Sequence, residues 1–122
     1  MLIKDIQNGE YFKAIDNTIL CELLHPAKEE GALEIRCSIA HAIVKPGVTT
    51  LPHRLKTSAE VYYILEGEGM MYINDESAEV HSGQAIYIPS NSKQYIQNTG
   101  NYNLKILCIV YPMWRMEDEE VL

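Results

Sequence analysis

The chain has 122 residues, 47% of them hydrophobic, with 17 acidic against 10 basic side chains and a formal net charge of −7. That length supports one domain with one core and is too short for two ordinary ones. The acidic excess gives no electrostatic ground for approaching phosphate backbones or anionic membrane surfaces, so neither nucleic acid nor a membrane is an expected partner.

The N-terminal residues show no basic start, apolar stretch and small-residue cleavage site, and no apolar run approaches the roughly 20 residues of a spanning helix. Turn signals then recur at short intervals, beginning with Asn8-Gly9, Asp16-Asn17, Glu30-Gly31 and Pro46-Gly47 and continuing through Gly67 to Gly69, Asn74-Asp75, Ser82-Gly83, Pro89 to Asn91 and Thr99 to Asn103. Between them lie runs rich in Ile, Val, Tyr and Leu: Thr18 to Leu24, Glu34 to Val44, Glu60 to Leu65, Met70 to Ile73, Gln84 to Ile88 and Leu104 to Tyr111. Many short strands with frequent turns predict an all-β fold, a two-sheet sandwich or jelly roll. Glu66 to Val80 reads as a hairpin with Asn74-Asp75 at its tip. The final run, Glu117 to Glu120, reads as a solvated acidic tail.

Cys21, Cys37 and Cys108 are odd in number, far apart and set in apolar runs, which suits neither a disulfide framework nor a zinc knuckle. They read as buried thiols of a reducing cytoplasm. No phosphate-cradling glycine loop and no Gly-x-Ser-x-Gly elbow is present, which removes most nucleotide chemistry and standard hydrolase chemistry.

Strand alternation identifies a candidate pocket. His53 and Leu55 share one face, as do Glu60, Tyr62 and Ile64, so an imidazole, a carboxylate, a phenol and aliphatic carbon converge. A few polar groups inside an apolar lining are typical of a small-ligand site. His41, which shares a strand face with Ile39 and Ile43, is a further candidate to point inward. His25 sits at a strand end, and His81 reads as a turn residue near solvent.

Two spaced motifs sharpen this. Gly47, five residues, His53-Arg54-Leu55, Glu60 and Gly67 form the first; Gly83, five residues, Pro89-Ser90-Asn91, Gln94 and Asn98 form the second. In both, the chain resembles a small single-domain cupin, whose first motif carries His-x-His and Glu and whose second carries Pro-x-Gly and a further His. Here Leu55 stands for the second His, Asn91 for the Gly and Gln94 for the last His. The resemblance covers residues 33–112 and implies a double-stranded β-helix (jelly-roll) barrel, with residues 1–32 completing it and 113–122 as the tail.

Members with all four ligands bind a divalent metal such as manganese, iron, nickel or zinc. The matching positions give His53, Glu60 and Gln94 as the residual metal set, weakened because an amide oxygen is a poorer ligand and leucine is none. Such a set either holds a metal with water completing its shell or leaves the site without one. Two functional readings follow. In the first the protein is an enzyme acting on a small polar molecule, a sugar derivative or carboxylic acid, with His53, Glu60 and Tyr62 as catalytic residues and Gln94, Tyr62 and His41 as substrate-binding ones. In the second it is a non-catalytic binding or sensory module. A barrel with no ligand is a third reading. The resemblance also implies a homodimer, for which the apolar stretch Leu104 to Trp114 is available; an ordinary core strand is the alternative use of that stretch.

Overall fold

The computed structural model describes residues 1–31 and 33–122. Among the described residues, eleven strands form two antiparallel sheets. The first sheet has the order β1 (Phe12–Lys13), β2 (Ile19–Leu24), β3 (Ser38–Val44), β10 (Leu104–Tyr111), β5 (Ala59–Glu66) and β8 (Ala85–Ile88). The second has the order β11 (Glu119–Val121), β4 (His53–Leu55), β9 (Gln94–Asn98), β6 (Glu68–Ile73) and β7 (Glu76–His81). This is the jelly-roll barrel that the short alternating runs predict. Among the described residues no helix is long and apolar enough to cross a membrane.

Alternation decides which side chains enter the interior. On β10, Leu104, Ile106, Cys108 and Val110 are buried, and the residues between them are less so. On β5 the same parity buries Glu60, Tyr62 and Ile64, placing one carboxyl and one phenol in the row that continues to the apolar core. Ile64, Ile96, Leu104 and Ile106 are each almost wholly removed from water in one apolar core cluster. Truncating one of them to Ala would cost about 2–5 kcal/mol through lost transfer energy and the cavity left behind.

The turns follow their chemistry. β6 and β7 pair Ile73 with Glu76, which leaves Asn74-Asp75 as a two-residue hairpin loop, and Asn74 takes a φ of 52°. Gly69 must lack a side chain, because a Cβ there would stand 2.5 Å from the Gln97 carbonyl oxygen of the neighbouring strand. Asn91, which occupies a glycine position of the second motif, adopts φ 62°, a left-handed conformation that asparagine tolerates better than most residues.

The C-terminal segment departs from the expectation of a solvated tail. Glu119, Glu120 and Val121 pair with Leu55, Arg54 and His53, so β11 becomes an edge strand of the second sheet. Asp118, just before it, is buried and accepts from the Thr57 backbone N–H at 2.9 Å, the Thr57 hydroxyl at 2.7 Å and the Ser58 N–H at 3.1 Å. Charge density suggested solvent, but each of these acids has a specific partner, which is the condition under which charge enters a fold. Likewise Leu104 to Tyr111 is hydrogen-bonded on both sides, to β3 and β5, and is a central strand of the monomer.

Candidate functional site

A cavity of about 270 Å³ opens within the barrel. Its wall is mostly apolar, from residues such as Leu20, Ile106, Val110 and Trp114, with Asp16, His53, Glu60, Tyr62 and Glu119 as polar intrusions. Phe12, Ile15 and Met116, from towards the two ends of the chain and all exposed, also line it.

His53 is the best-defined member. It is 3% exposed, and its Nδ1–H donates to the Leu51 carbonyl oxygen at 2.9 Å. A carbonyl only accepts, so Nδ1 carries a proton and Nε2 is the nitrogen left to act. Nε2 lies 3.6 Å from Asp16 Oδ2 and 3.8 Å from Glu119 Oε2. Each carboxylate is held by its other oxygen. Asp16 Oδ1 accepts from the Thr18 N–H at 3.1 Å and the Thr18 hydroxyl at 2.6 Å, while Glu119 Oε1 accepts from Trp114 Nε1 at 3.1 Å. The Asp16 backbone oxygen also accepts from the Leu51 N–H at 2.8 Å, which fixes the N-terminal turn against the approach to β4.

Glu119 arrives through strand pairing. It is the register partner of Leu55, the position where a second ligand histidine is missing, so a carboxylate enters from the adjacent strand beside the hydrocarbon. Burial pushes the Glu119 carboxyl above the usual range, against the lowering influence of His53 and of the Trp114 hydrogen bond.

Glu60 is 8% exposed, and its pKa is raised to about 8, first by burial and further by the charges of Glu119 and Asp16, against a hydrogen bond with Gln94. Gln94 is 1% exposed, pairs with His53 across β4 and β9, and has a buried Oε1 without a partner. The two observations complement each other. A carboxyl that keeps its proton has an O–H to donate, and turning the amide over, which preserves its outline, presents Oε1 to it. Tyr62 lines the cavity, is 5% exposed, and its hydroxyl makes no hydrogen bond among the described residues. Burial holds that phenol well above its ordinary pKa, with the neighbouring charge of Glu60 adding to the effect.

The cavity thus gathers His53, Glu60 and Tyr62, and Gln94 backs it through Glu60. His41 does not join them. It has the parity opposite to Ala40 and Ala42, which line the cavity, and its Nδ1 meets the Tyr11 hydroxyl at 2.9 Å beneath the N-terminal segment. The shared face with Ile39 and Ile43 is the outer one. His25 is likewise engaged elsewhere, with Nε2 at 2.7 Å from the Trp114 carbonyl oxygen, and His81 is exposed at a turn. Asp16 and Glu119 are the polar cavity residues that sequence reasoning missed. Asp16-Asn17 carried a turn signal only, and Glu119 lay inside a charge run.

The donor set fits a divalent metal poorly. Leu55 is buried hydrocarbon in the cavity wall, and Gln94 offers only a neutral amide oxygen, a poorer ligand than imidazole or carboxylate. Among the described residues no three His, Cys, Asp or Glu side chains stand where they could hold one ion. Asp16 and Glu119 are arranged around the imidazole itself.

An all-β chain whose two antiparallel sheets enclose a mostly apolar cavity with a few polar side chains is a jelly-roll barrel protein. A family model described as Cupin domain matches residues 40–110, and the chain belongs to the cupin family. It is 48% identical over 107 residues to an uncharacterised protein of Methanocaldococcus jannaschii, covering 88% of this chain and 83% of that one. It is 28% identical over 89 residues to an oxalate-binding protein of Thermotoga maritima, covering 73% of this chain and 74% of that one. Among solved structures, the Streptomyces nucleoside dehydratase Pac13 superposes with a TM-score of 0.78 at 17% identity, covering all of this chain and 91% of that one. A predicted oxalate decarboxylase from Thermotoga maritima superposes at 0.75 with 22% identity, covering 90% of this chain and 97% of that one. At those identities the superpositions establish the fold.

Proposed function

We propose that the barrel cavity is an acid–base site acting on a small polar molecule, with His53 as the base, Glu60 as the proton donor, and Tyr62 and Gln94 as groups that bind and orient. The observation that carries this is the approach of Asp16 and Glu119 to 3.6 and 3.8 Å of His53 Nε2. Negative charge beside an imidazole stabilises the imidazolium formed when the base takes a proton. Glu60, buried in the same cavity, still has a proton to give near neutral pH. Two titratable groups held in opposite protonation roles are what acid–base chemistry requires, and a cavity that only held its ligand would not need them.

Of the two ligand classes the sequence suggests, a sugar derivative suits hydroxyl, carboxyl and amide groups set in an apolar wall. A carboxylic acid would bring its own negative charge against Asp16 and Glu119. The test is a panel of sugar derivatives followed by thermal shift for binding and mass spectrometry for conversion. We expect His53→Ala and Glu60→Gln to lower turnover of any hit by about 10²–10⁴-fold while leaving binding within a few-fold. A hit that binds and is never converted would make the protein a binding module, and unaffected variants would overturn the site.

We also propose that the protein works as a homodimer in a reducing cytoplasm. Three free thiols support the compartment, and the exposed Tyr63, Leu65, Tyr87 and Tyr111 offer an apolar outer face on β5, β8 and β10. Size-exclusion chromatography with light scattering decides the second point, and a monomer at micromolar concentration would refute it.

A further inference from the structure

Each of the two carboxylates beside His53 uses one oxygen to hold the fold and leaves the other free. Asp16 Oδ1 is taken by Thr18 and Glu119 Oε1 by Trp114, whereas Asp16 Oδ2 and Glu119 Oε2 make no hydrogen bond among the described residues and stand 3.6 and 3.8 Å from the imidazole nitrogen. No lysine or arginine side chain balances these oxygens, because the basic residues lining the cavity besides His53 are Lys13, which is exposed, and Lys28, which is also exposed and bound at 2.7 Å to Glu22. A buried carboxylate without a counter-charge is costly, and the cost is relieved by whatever cation enters.

A second feature points to a ligand independently. The Tyr62 hydroxyl, on a side chain more than nine-tenths buried, lines the cavity without a partner. Aromatic surface is also at hand in Trp114 and Phe12, and Trp114 already attracts a cation, with Lys28 Nζ 5.7 Å from its ring centroid.

We infer that the ligand of this cavity carries a primary or secondary ammonium group, seated on Asp16 Oδ2 and Glu119 Oε2, with its uncharged part against the aromatic and aliphatic wall and a hydroxyl or carbonyl on Tyr62. This deepens the acid–base reading and rests on it for the position of the site. It separates the chain from its oxalate-binding relative by the sign of the charge it accepts: a dicarboxylate would bring two negative charges against the free oxygens of Asp16 and Glu119. An ammonium provides several N–H donors for acceptors that lack them.

The test is calorimetric titration of the full chain near pH 7 in low salt with three probes of one skeleton: 2-phenylethylamine, 2-phenylethanol and phenylacetate. The amine is expected to bind about tenfold or more tightly than the alcohol, and the acid most weakly, with the amine's advantage shrinking as salt is added. Asp16→Asn and Glu119→Gln keep the oxygens that accept from Thr18 and Trp114, so both variants should fold, as a melting curve checks. Each should weaken the amine about tenfold and the alcohol less than twofold. An alcohol or acid that binds as tightly as the amine would overturn the ammonium assignment while leaving the cavity as the site. Variants that weaken amine and alcohol equally would overturn it too. Stoichiometric uptake of zinc or manganese that Asp16→Asn abolishes would show the free oxygens to be metal ligands and would equally overturn it. Absence of binding by all three probes would end the ammonium assignment, while conversion in the sugar panel and its loss in His53→Ala would still judge the acid–base reading alone.

Discussion

Leu55 decides the character of the site more than any residue that bears a functional group. Its side chain is 4% exposed and forms part of the cavity wall beside His53, so the interior presents carbon where the family pattern places a second imidazole. Restoring that imidazole is a direct measure of what its loss means. Leu55→His should raise the divalent metal bound per chain, read by elemental analysis after purification with added zinc, since two imidazoles and the Glu60 carboxylate are strong ligands together. No rise would show that position 55 does not share a centre with His53. The wild-type residue also packs the barrel, and Leu55→Ala should cost about 2–4 kcal/mol in chemical denaturation. This residue was fully legible in the sequence, because two residues apart on a strand means one face. Gln94 was legible as an eroded ligand, but its tie to Glu60 was not, since it joins β9 of one sheet to β5 of the other, a long-range fact that no local pattern carries.

Among the elements, β10 and β11 mark the two extremes of what sequence reveals. Leu104–Tyr111 alternates over eight residues in a background of Ile, Val and Leu, and such a run has one stable use, as a strand covered on its inner face. Glu119–Val121 has three residues, two of them acidic, and becomes a strand only because β4 offers an open edge and Arg54 a counter-charge for Glu120. Tertiary context overrides propensity there. The anchor of β11 is Asp118. Burial alone would raise its carboxyl, but the hydrogen bonds from Thr57 and Ser58 and the charge of Arg115 outweigh it and hold the carboxyl below the usual range. Asp118→Ala removes three hydrogen bonds to a charged acceptor and leaves the Thr57 and Ser58 donors unpartnered. We expect a loss of about 2–3 kcal/mol in urea denaturation, together with faster hydrogen exchange along β4 and β11. A change under about 0.5 kcal/mol would mean that β11 docks without this anchor.

At the scale of the whole molecule, the barrel keeps a carboxyl proton that the unfolded chain releases. Folded Glu60 titrates at about 8, while its ordinary value is 4.5, so between those values the native state binds more protons than the unfolded one. The slope of unfolding free energy with pH follows the protons bound by the unfolded state minus those bound by the native state, and here that difference is negative. Stability is therefore complete below the ordinary carboxylate range and declines as pH rises toward about 8. At about 1.36 kcal/mol per pH unit the decline has an upper limit of about 5 kcal/mol. The raised carboxyl of Glu119 adds to it with the same sign. Asp118 has the opposite sign, but its contribution is lost only as pH falls below the ordinary carboxylate value of 3.8, outside this window. Asp16, Glu119, His53 and the Glu60–Gln94 pair occupy one interior, so the decline is a property of the barrel as a whole. Glu60→Gln keeps the shape of the side chain and removes its proton equilibrium. Urea denaturation from about pH 5 to about pH 9 should show the wild type losing stability along this range and the variant following a flatter line that lies above it at the alkaline end. Parallel lines for the two proteins would show that Glu60 does not hold its proton in the fold, and with it would go the proton donor assigned to the cavity.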